Sequence, residues 1–365
     1  MNIVKRVLLA LAAPALAIVV AGLVASVVLV ISGDSVSAFW QAMVNWENGA
    51  PHLPLHDDTV AILNQTAVLY LSGVAAAIGF RMNLFNIGVE GQYRLAGFAA
   101  GWFAGAGLLP GYLNTIAAIL VAMLTGALWA GIAGVLRVAR GVSEVISTIM
   151  LNAIAGSLVG YLVNRIGTHN GKASNTKTMP HDTWVGTFKL FGDTSNQVDG
   201  LALLAIVVGV AFWVVLNKTR FGFDLRASGS SQSAAVASGV DVRRMVIVAM
   251  LLSGAIAGLV GLPQMFSESH NYGSSFQAGL GFTGIAVALL GRNNPIWIAL
   301  GALVFAFLTQ QATLLNILAG ISTDIIQVTQ GVIVMAVVIA YELVRRYRVR
   351  AEQSQVSREL AAAAS

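Results

Sequence analysis

Apolar residues along this chain come in runs of roughly 20, separated by short polar or glycine-rich breaks. The runs occupy positions 7–32, 59–80, 94–109, 114–136, 142–163, 201–217, 245–264, 278–291, 295–313 and 323–344. A bilayer's hydrocarbon core is about 30 Å thick, and a helix rising about 1.5 Å per residue crosses it in about 20 residues. The pattern predicts an all-α integral membrane protein of about ten transmembrane helices. The third and eighth runs are short for a crossing and lie in glycine-rich surroundings, which predicts short or broken helices near the centre.

Charge placement adds an orientation. With the N-terminus in the cytoplasm, 17 of the 21 Lys and Arg fall in cytoplasmic segments, as cytoplasmic loops require. Arg81 and Arg94 are counted there, in the break between the second and third runs. The other four, Arg165, Lys172, Lys177 and Lys189, share one long loop. Both termini are therefore expected in the cytoplasm. Residues 1–350 are expected to form one transmembrane domain, with extracytoplasmic loops at 33–58 and 164–200 and a cytoplasmic loop at 218–244. A polar cytoplasmic tail covers 351–365. Lys5 and Arg6 precede an apolar run too long for the core of a secretory signal, so an uncleaved first span is expected.

Composition narrows the class. Hydrophobic residues make up 57% of the chain and charged residues 10%, with mean hydropathy +0.78, whereas soluble domains carry about 25% charged residues. A net charge of +5 would suit a nucleic-acid binder, but ten apolar runs exclude that class. Cysteine is absent, which excludes disulfides and thiolate metal sites. His52 and His56, beside Asp57 and Asp58, have metal-like spacing, but Pro54 breaks the helical face it would need; no metal site is expected. Among all positions no phosphate loop G-x-x-x-x-G-K-[ST] occurs. At the nearest miss, Gly171-Lys172, Ile166 stands in place of the first glycine and Ala173 follows the lysine, so no ATP site is expected on this chain.

Polar residues in apolar settings are the candidates for function. Arg81-Met82-Asn83-Leu84-Phe85-Asn86-Ile87-Gly88-Val89-Glu90-Gly91-Gln92 lies between two spans, and its amides and carboxylate cannot face lipid cheaply. It either lines a pathway or turns the chain. Glu144, Thr148 and Asn152 recur at i, i+4 and i+8 and so share one helix face, as pathway lining or as glue between helices. Asn64, Gln65 and Thr66, and Thr309, Gln310, Gln311 and Thr313, are further polar groups inside spans. The pathway candidates are Asn83, Phe85, Asn86, Glu90, Gln92, Glu144, Thr148, Asn152, Gln310 and Gln311. A second stretch, Phe221 to Val240, is rich in Ala, Ser and Gly, and predicts a short helix lying along the membrane face where a partner can approach its backbone. The glycine pairs 101/105 and 254/258 are expected to mark close helix packing.

Several of these stretches resemble ABC-type permeases of the simple-sugar and nucleoside import family. Residues 83–92 are similar to that family's N-x-F-N-I-G-x-E-G-Q signature. Leu225-Arg226-Ala227-Ser228-Gly229, then Ala234-Ala235 and Gly239-Val240, are similar to its coupling loop, although Ser230 stands where Asn is usual. Residues 252–259 and 281–295 also resemble family text, and the likeness runs from about residue 59 to 344. The resemblance implies a pore-forming subunit, not an enzyme, in the inner membrane. It implies pairing with a second homologous permease, a cytoplasmic ABC ATPase that holds ATP and Mg, and an extracytoplasmic substrate-binding lipoprotein. It also implies that Arg226, Ala227, Ser228, Gly229, Ala234, Ala235 and Gly239 contact the ATPase, and that the substrate is a nucleoside or a simple sugar. An ion-coupled secondary transporter is the competing class and needs intramembrane carboxylates; Glu90, Glu144 and Asp324 all lie near the ends of their spans.

Overall fold

The computed structural model describes residues 55–170, 173–192, 196–273 and 276–319, parts of 19–40, and single positions between 322 and 346. The expected tail 351–365, the first turns of the first run and nearly all of the last run lie outside the described residues, as do 41–54. The chain divides into two units, His52–Phe307 and the two chain ends, Met1–Pro51 with Leu308–Ser365.

In the first unit the apolar runs become helices α1 (Leu55–Arg81), α2 (Val89–Ala106), α3 (Gly111–Arg140), α4 (Glu144–Ile166) and α5 (Leu203–Lys218). Two short helices follow, α6 (Arg220–Ser230) and α7 (Gln232–Ala237), then α8 (Val242–Ala257), α9 (Leu280–Leu290) and the start of α10 (Pro295–Ala319). Five stretches are long and apolar enough to cross a membrane: Asp58–Arg81, Gly111–Arg140, Glu144–Ile166, Gly200–Lys218 and Val242–Ser269. This is a mostly helical, multi-pass membrane protein. The eighth run is indeed short, an α9 of 11 residues.

Local chemistry sets the ends of these helices. Thr219, Ser231 and Asp241 accept hydrogen bonds from the amides of Gly222, Ala234 and Arg244, so each caps a helix start in the cytoplasm-facing candidate loop. Gly107 and Gly141 adopt left-handed backbone after α2 and α3, which any residue with a Cβ adopts at a cost.

The helices are not equally covered. The α1 window is 72% buried and that of Val242–Ser269 67%, against 33%, 28% and 22% for α3, α4 and α5. The centre of the unit is therefore α1 with α8, and the outer helices keep large apolar faces for lipid or for another chain. Helices α3 and α8 meet backbone to backbone: a Cβ on Gly254 would collide with the carbonyl of Gly126, and one on Gly258 with the carbonyl of Ala122. Small residues permit that approach in a setting where dispersion and hydrogen bonding, not water exclusion, hold helices together.

Two expectations need correction. The third helix begins at Val89, not at residue 94, because side chains from other helices satisfy the amides of its polar first turn. Arg94 thus belongs to the second turn of α2 and not to a loop. The segment 164–200 is also not purely irregular. It carries two small antiparallel ladders, Thr168–Asn170 with Ala173–Asn175 and Thr187–Phe188 with Val198–Asp199. The main chain there finds partners along its own strands and in the 270s, where the amides of Thr176 and Met179 donate to the carbonyls of Tyr272 and His270.

In the second unit the described helical segment is Gly22–Ser32. Trp40 Nε1 donates to Ser26 Oγ there at 2.9 Å.

Candidate translocation site

Between α1 and α2 the chain leaves the helix at Arg81, turns through Met82–Ile87 and re-enters at Val89. Asn83 takes a positive φ of 57°, a conformation asparagine tolerates. A helix that starts inside a bundle exposes amides with no partner one turn back. Here side chains supply the partners. Asn152 on α4 accepts from Gly91 N at 2.8 Å and donates to the Ile87 carbonyl at 2.8 Å.

Asn86, fully buried, is the hub. Its Oδ1 accepts from Gly88 N at 3.0 Å and from Gln92 Nε2 at 2.9 Å. Its Nδ2 donates to Gln92 Oε1 at 3.0 Å and to Ser253 Oγ at 2.7 Å. Ser253 Oγ donates in turn to the Ala75 carbonyl at 2.6 Å. The break is thereby tied to α1 and α8 together.

Glu90 does a different job. Its carboxylate accepts from the amides of Gly279 at 2.9 Å and Gly281 at 3.0 Å, the first donors of α9. A negative charge at a helix N-terminus meets both the free N–H groups and the positive end of the helix dipole. The Tyr93 hydroxyl stands 3.1 Å from the same carboxylate and 2.9 Å from the Gln277 carbonyl.

Of the other candidates, Glu144 pairs with Arg137 at 3.4 Å and lies 3.5 Å from Phe85 N. Thr148 is buried and donates back to the Glu144 carbonyl at 2.7 Å. Glu144, Thr148 and Asn152 do share one face, toward the break. Asn83 and Phe85 are exposed, the Phe85 ring 5.3 Å from that of Phe80. Gln310 and Gln311 belong to the other unit, on the last turns of α10, with Gln311 buried.

Sequence reasoning missed Ser72 and Ser253, whose hydroxyls hold the Leu280 and Ala75 carbonyls, and it missed the aromatic group Tyr93, Tyr272 and Phe276. Serine in an apolar run carries no hydropathy signal, and aromatic residues in such runs read as ordinary span.

The coupling candidates lie on α6 and α7. Arg226 donates to the Leu216 carbonyl, and Ser228 is buried. Gly229 packs so closely on Arg81 that a Cβ would strike its carbonyl. Arg81 Nε donates to the Asn293 carbonyl at 2.9 Å. Helix α6 thus touches the end of α1 where the break begins, and Arg81 links that point to the turn after α9. Helix α7 is exposed except for Ala235, with Ala234 and Gly239 open and Val236 62% exposed.

Residues 59–340 match the model of a family described as the branched-chain amino acid transport system / permease component. The chain belongs to this family. The guanosine ABC transporter permease protein NupP of Bacillus subtilis is 32% identical over 336 residues, covering 90% of this permease and 93% of that protein. The glucose ABC transporter permease protein TsgB13 of Haloferax volcanii is 31% identical over 299 residues, covering 79% and 77%. The nucleoside ABC transporter permease protein NupB of Lactococcus lactis is 31% identical over 280 residues, covering 75% and 77%. The permease matches these relatives end to end, so the break, the α8–α9 interruption and the α6–α7 pair all lie within the family region.

Proposed function

We propose that this chain is one of two paired permeases of an ATP-driven nucleoside importer in the cytoplasmic membrane, with both termini in the cytoplasm. The similarity to a guanosine permease over nine-tenths of the chain carries the substrate class. The geometry supports the transport role. Non-helical backbone inside a membrane bundle persists only where protein covers it or a watery passage adjoins it, and here two interruptions, 82–88 and 270–279, meet through Glu90. The buried amides hold the break in shape, while Asn83 and Phe85, exposed at its turn, and Gln310 and Gln311 remain candidates for the passage.

Helices α6 and α7 are the docking element for a cytoplasmic ABC ATPase, which binds ATP and Mg on its own chain. An extracytoplasmic lipoprotein delivers the solute, and a second permease completes the passage. ATPase closure biases the permease pair through differential contact at α6 and α7, and the Gly229–Arg81 contact carries that bias to the break.

The test is uptake by vesicles holding the full complex. ATP-dependent accumulation of radiolabelled guanosine, competed by other nucleosides, supports the proposal; uptake without ATP but with an ion gradient overturns it. The 31% identity to a glucose permease favours a sugar as the second reading, and competition by glucose in place of nucleosides would select it.

A further inference from the structure

Arg94 is an arginine inside a membrane bundle with no acid of its own. Among the described residues no carboxylate lies within ion-pair distance of it. Glu90, one turn earlier, spends both oxygens on α9. The guanidinium hydrogen-bonds the Tyr272 hydroxyl, and Gly156 on α4 stands opposite it, where an added Cβ would lie 3.7 Å from Nη1. Position 156 continues the series 144, 148, 152 by one more turn, so the face of α4 that pins the break ends beside Arg94 in a residue with no side chain.

The side chain is half-buried, and Phe276 and Gln277 near it are half-buried too. Phe276 stacks on Tyr93 at 5.8 Å and meets Tyr272 at 4.4 Å. The Tyr93 hydroxyl lies 2.9 Å from the Gln277 carbonyl. The open side of this group cannot be lipid, because a guanidinium bared to hydrocarbon is among the costliest arrangements in a membrane protein. The neighbouring 270–279 backbone is non-helical, which again requires protein or a watery passage.

We propose that Arg94 is a solute-contacting residue of the passage, presenting its planar fork of N–H donors to the carbonyl, ring-nitrogen or hydroxyl acceptors of a nucleoside. An aromatic edge from Phe276 borders the same opening. Arginine suits the task because its donors are rigid and coplanar, and because it stays charged in any environment. Tyr272 orients the guanidinium and leaves other donors free. This inference rests on the nucleoside-importer reading.

The chain has no cysteine, so Arg94→Cys places its single thiol at the site. In the full reconstituted complex we expect Arg94→Cys to lose most guanosine uptake while keeping assembly and basal ATPase activity. A water-soluble aminoethyl thiosulfonate reagent should label this chain at that thiol and restore part of the uptake by returning a positive charge. Guanosine should slow the labelling. Arg94→Lys, which keeps charge but not the fork, should assemble and raise the KM for uptake about tenfold with a smaller change in maximal rate. Labelling indifferent to guanosine, or an unchanged KM in Arg94→Lys, overturns the proposal. A thiol shielded by assembly alone assigns Arg94 to the seam between permeases and overturns it as well. If the wild-type complex takes up no nucleoside, the importer reading fails first and this inference falls with it, an outcome distinct from active wild type with indifferent variants.

Discussion

Replacing Asn86 by Leu, close to it in volume, removes the hub of the break and leaves its partners buried. Four hydrogen bonds are lost: from Gly88 N, from Gln92 Nε2, and those to Gln92 Oε1 and Ser253 Oγ. Side-chain hydrogen bonds in membrane proteins average about 0.6 kcal/mol, so the bonds alone amount to about 2.4 kcal/mol. The stranded groups raise that figure, because an unsatisfied buried polar group costs about 1–3 kcal/mol. The Gln92 amide loses both of its partners here, and Gly88 N loses its one. The expected loss is about 3–6 kcal/mol, a large part of a typical folding free energy.

The informative variant is the double one. Adding Gln92→Leu removes the stranded amide, so Asn86→Leu/Gln92→Leu should be more stable than Asn86→Leu alone by about 1–3 kcal/mol. Purified protein in detergent micelles, unfolded by heat and followed by tryptophan fluorescence, reads the order of the midpoints: wild type highest, double variant between, Asn86→Leu lowest. A double variant at or below the single one would refute the claim that these two amides act as one buried pair.

Other outcomes follow from single contacts. Glu90→Gln keeps the shape but removes the charge at the start of α9, and should cost about 1–2 kcal/mol in the same melting assay. Asp199 has its carboxyl pushed up from 3.8 to about 7, first by burial and then by the Glu268 charge, with a Ser267 hydrogen bond opposing. Its protonated form is therefore favoured by folding. That contribution is fully present below about pH 4 and is lost as pH rises through about 7. Melting midpoints taken from pH 5 to 8 should fall with pH, and Asp199→Asn should flatten the fall. Gly254→Leu forces a side chain into the Gly126 carbonyl and should abolish detergent-stable protein on size-exclusion chromatography, whereas Gly160→Leu, where a Cβ meets nothing within 4 Å, should not. Val236→Glu on exposed α7 should leave the melting midpoint unchanged yet reduce copurification of the ATPase and solute-stimulated hydrolysis.

The spans were legible in the sequence because lipid demands long apolar runs. The readings 59–80, 114–136, 142–163 and 201–217 fall within a few residues of α1, α3, α4 and α5. The start of α2 was not legible. Glu90, Gln92 and Arg94 lower the local hydropathy, and what makes them helical is Asn152, some 60 residues away in sequence. Polar residues in the signature were recognisable as costly, but hydropathy carries no information on which carbonyl or amide each one holds. The same blindness put Arg94 in a loop: a charge count assigns sides by proximity to span ends and has no means of seeing a tyrosine nearly 180 positions later. The short ladders in 164–200 escaped because two- and three-residue strands leave no alternation to detect.

The contact of α3 with α8 bears on how such a molecule moves. With the Gly126 carbonyl occupying the space a side chain at 254 would fill, neither helix has room to slide or roll past the other. They travel as one body. Any change of shape that admits a solute is then left to the stretch after α8, from the π-turn Met265–Ser269 to Gly279, where the backbone has no ladder to break and Glu90 alone fastens α9 to the rest.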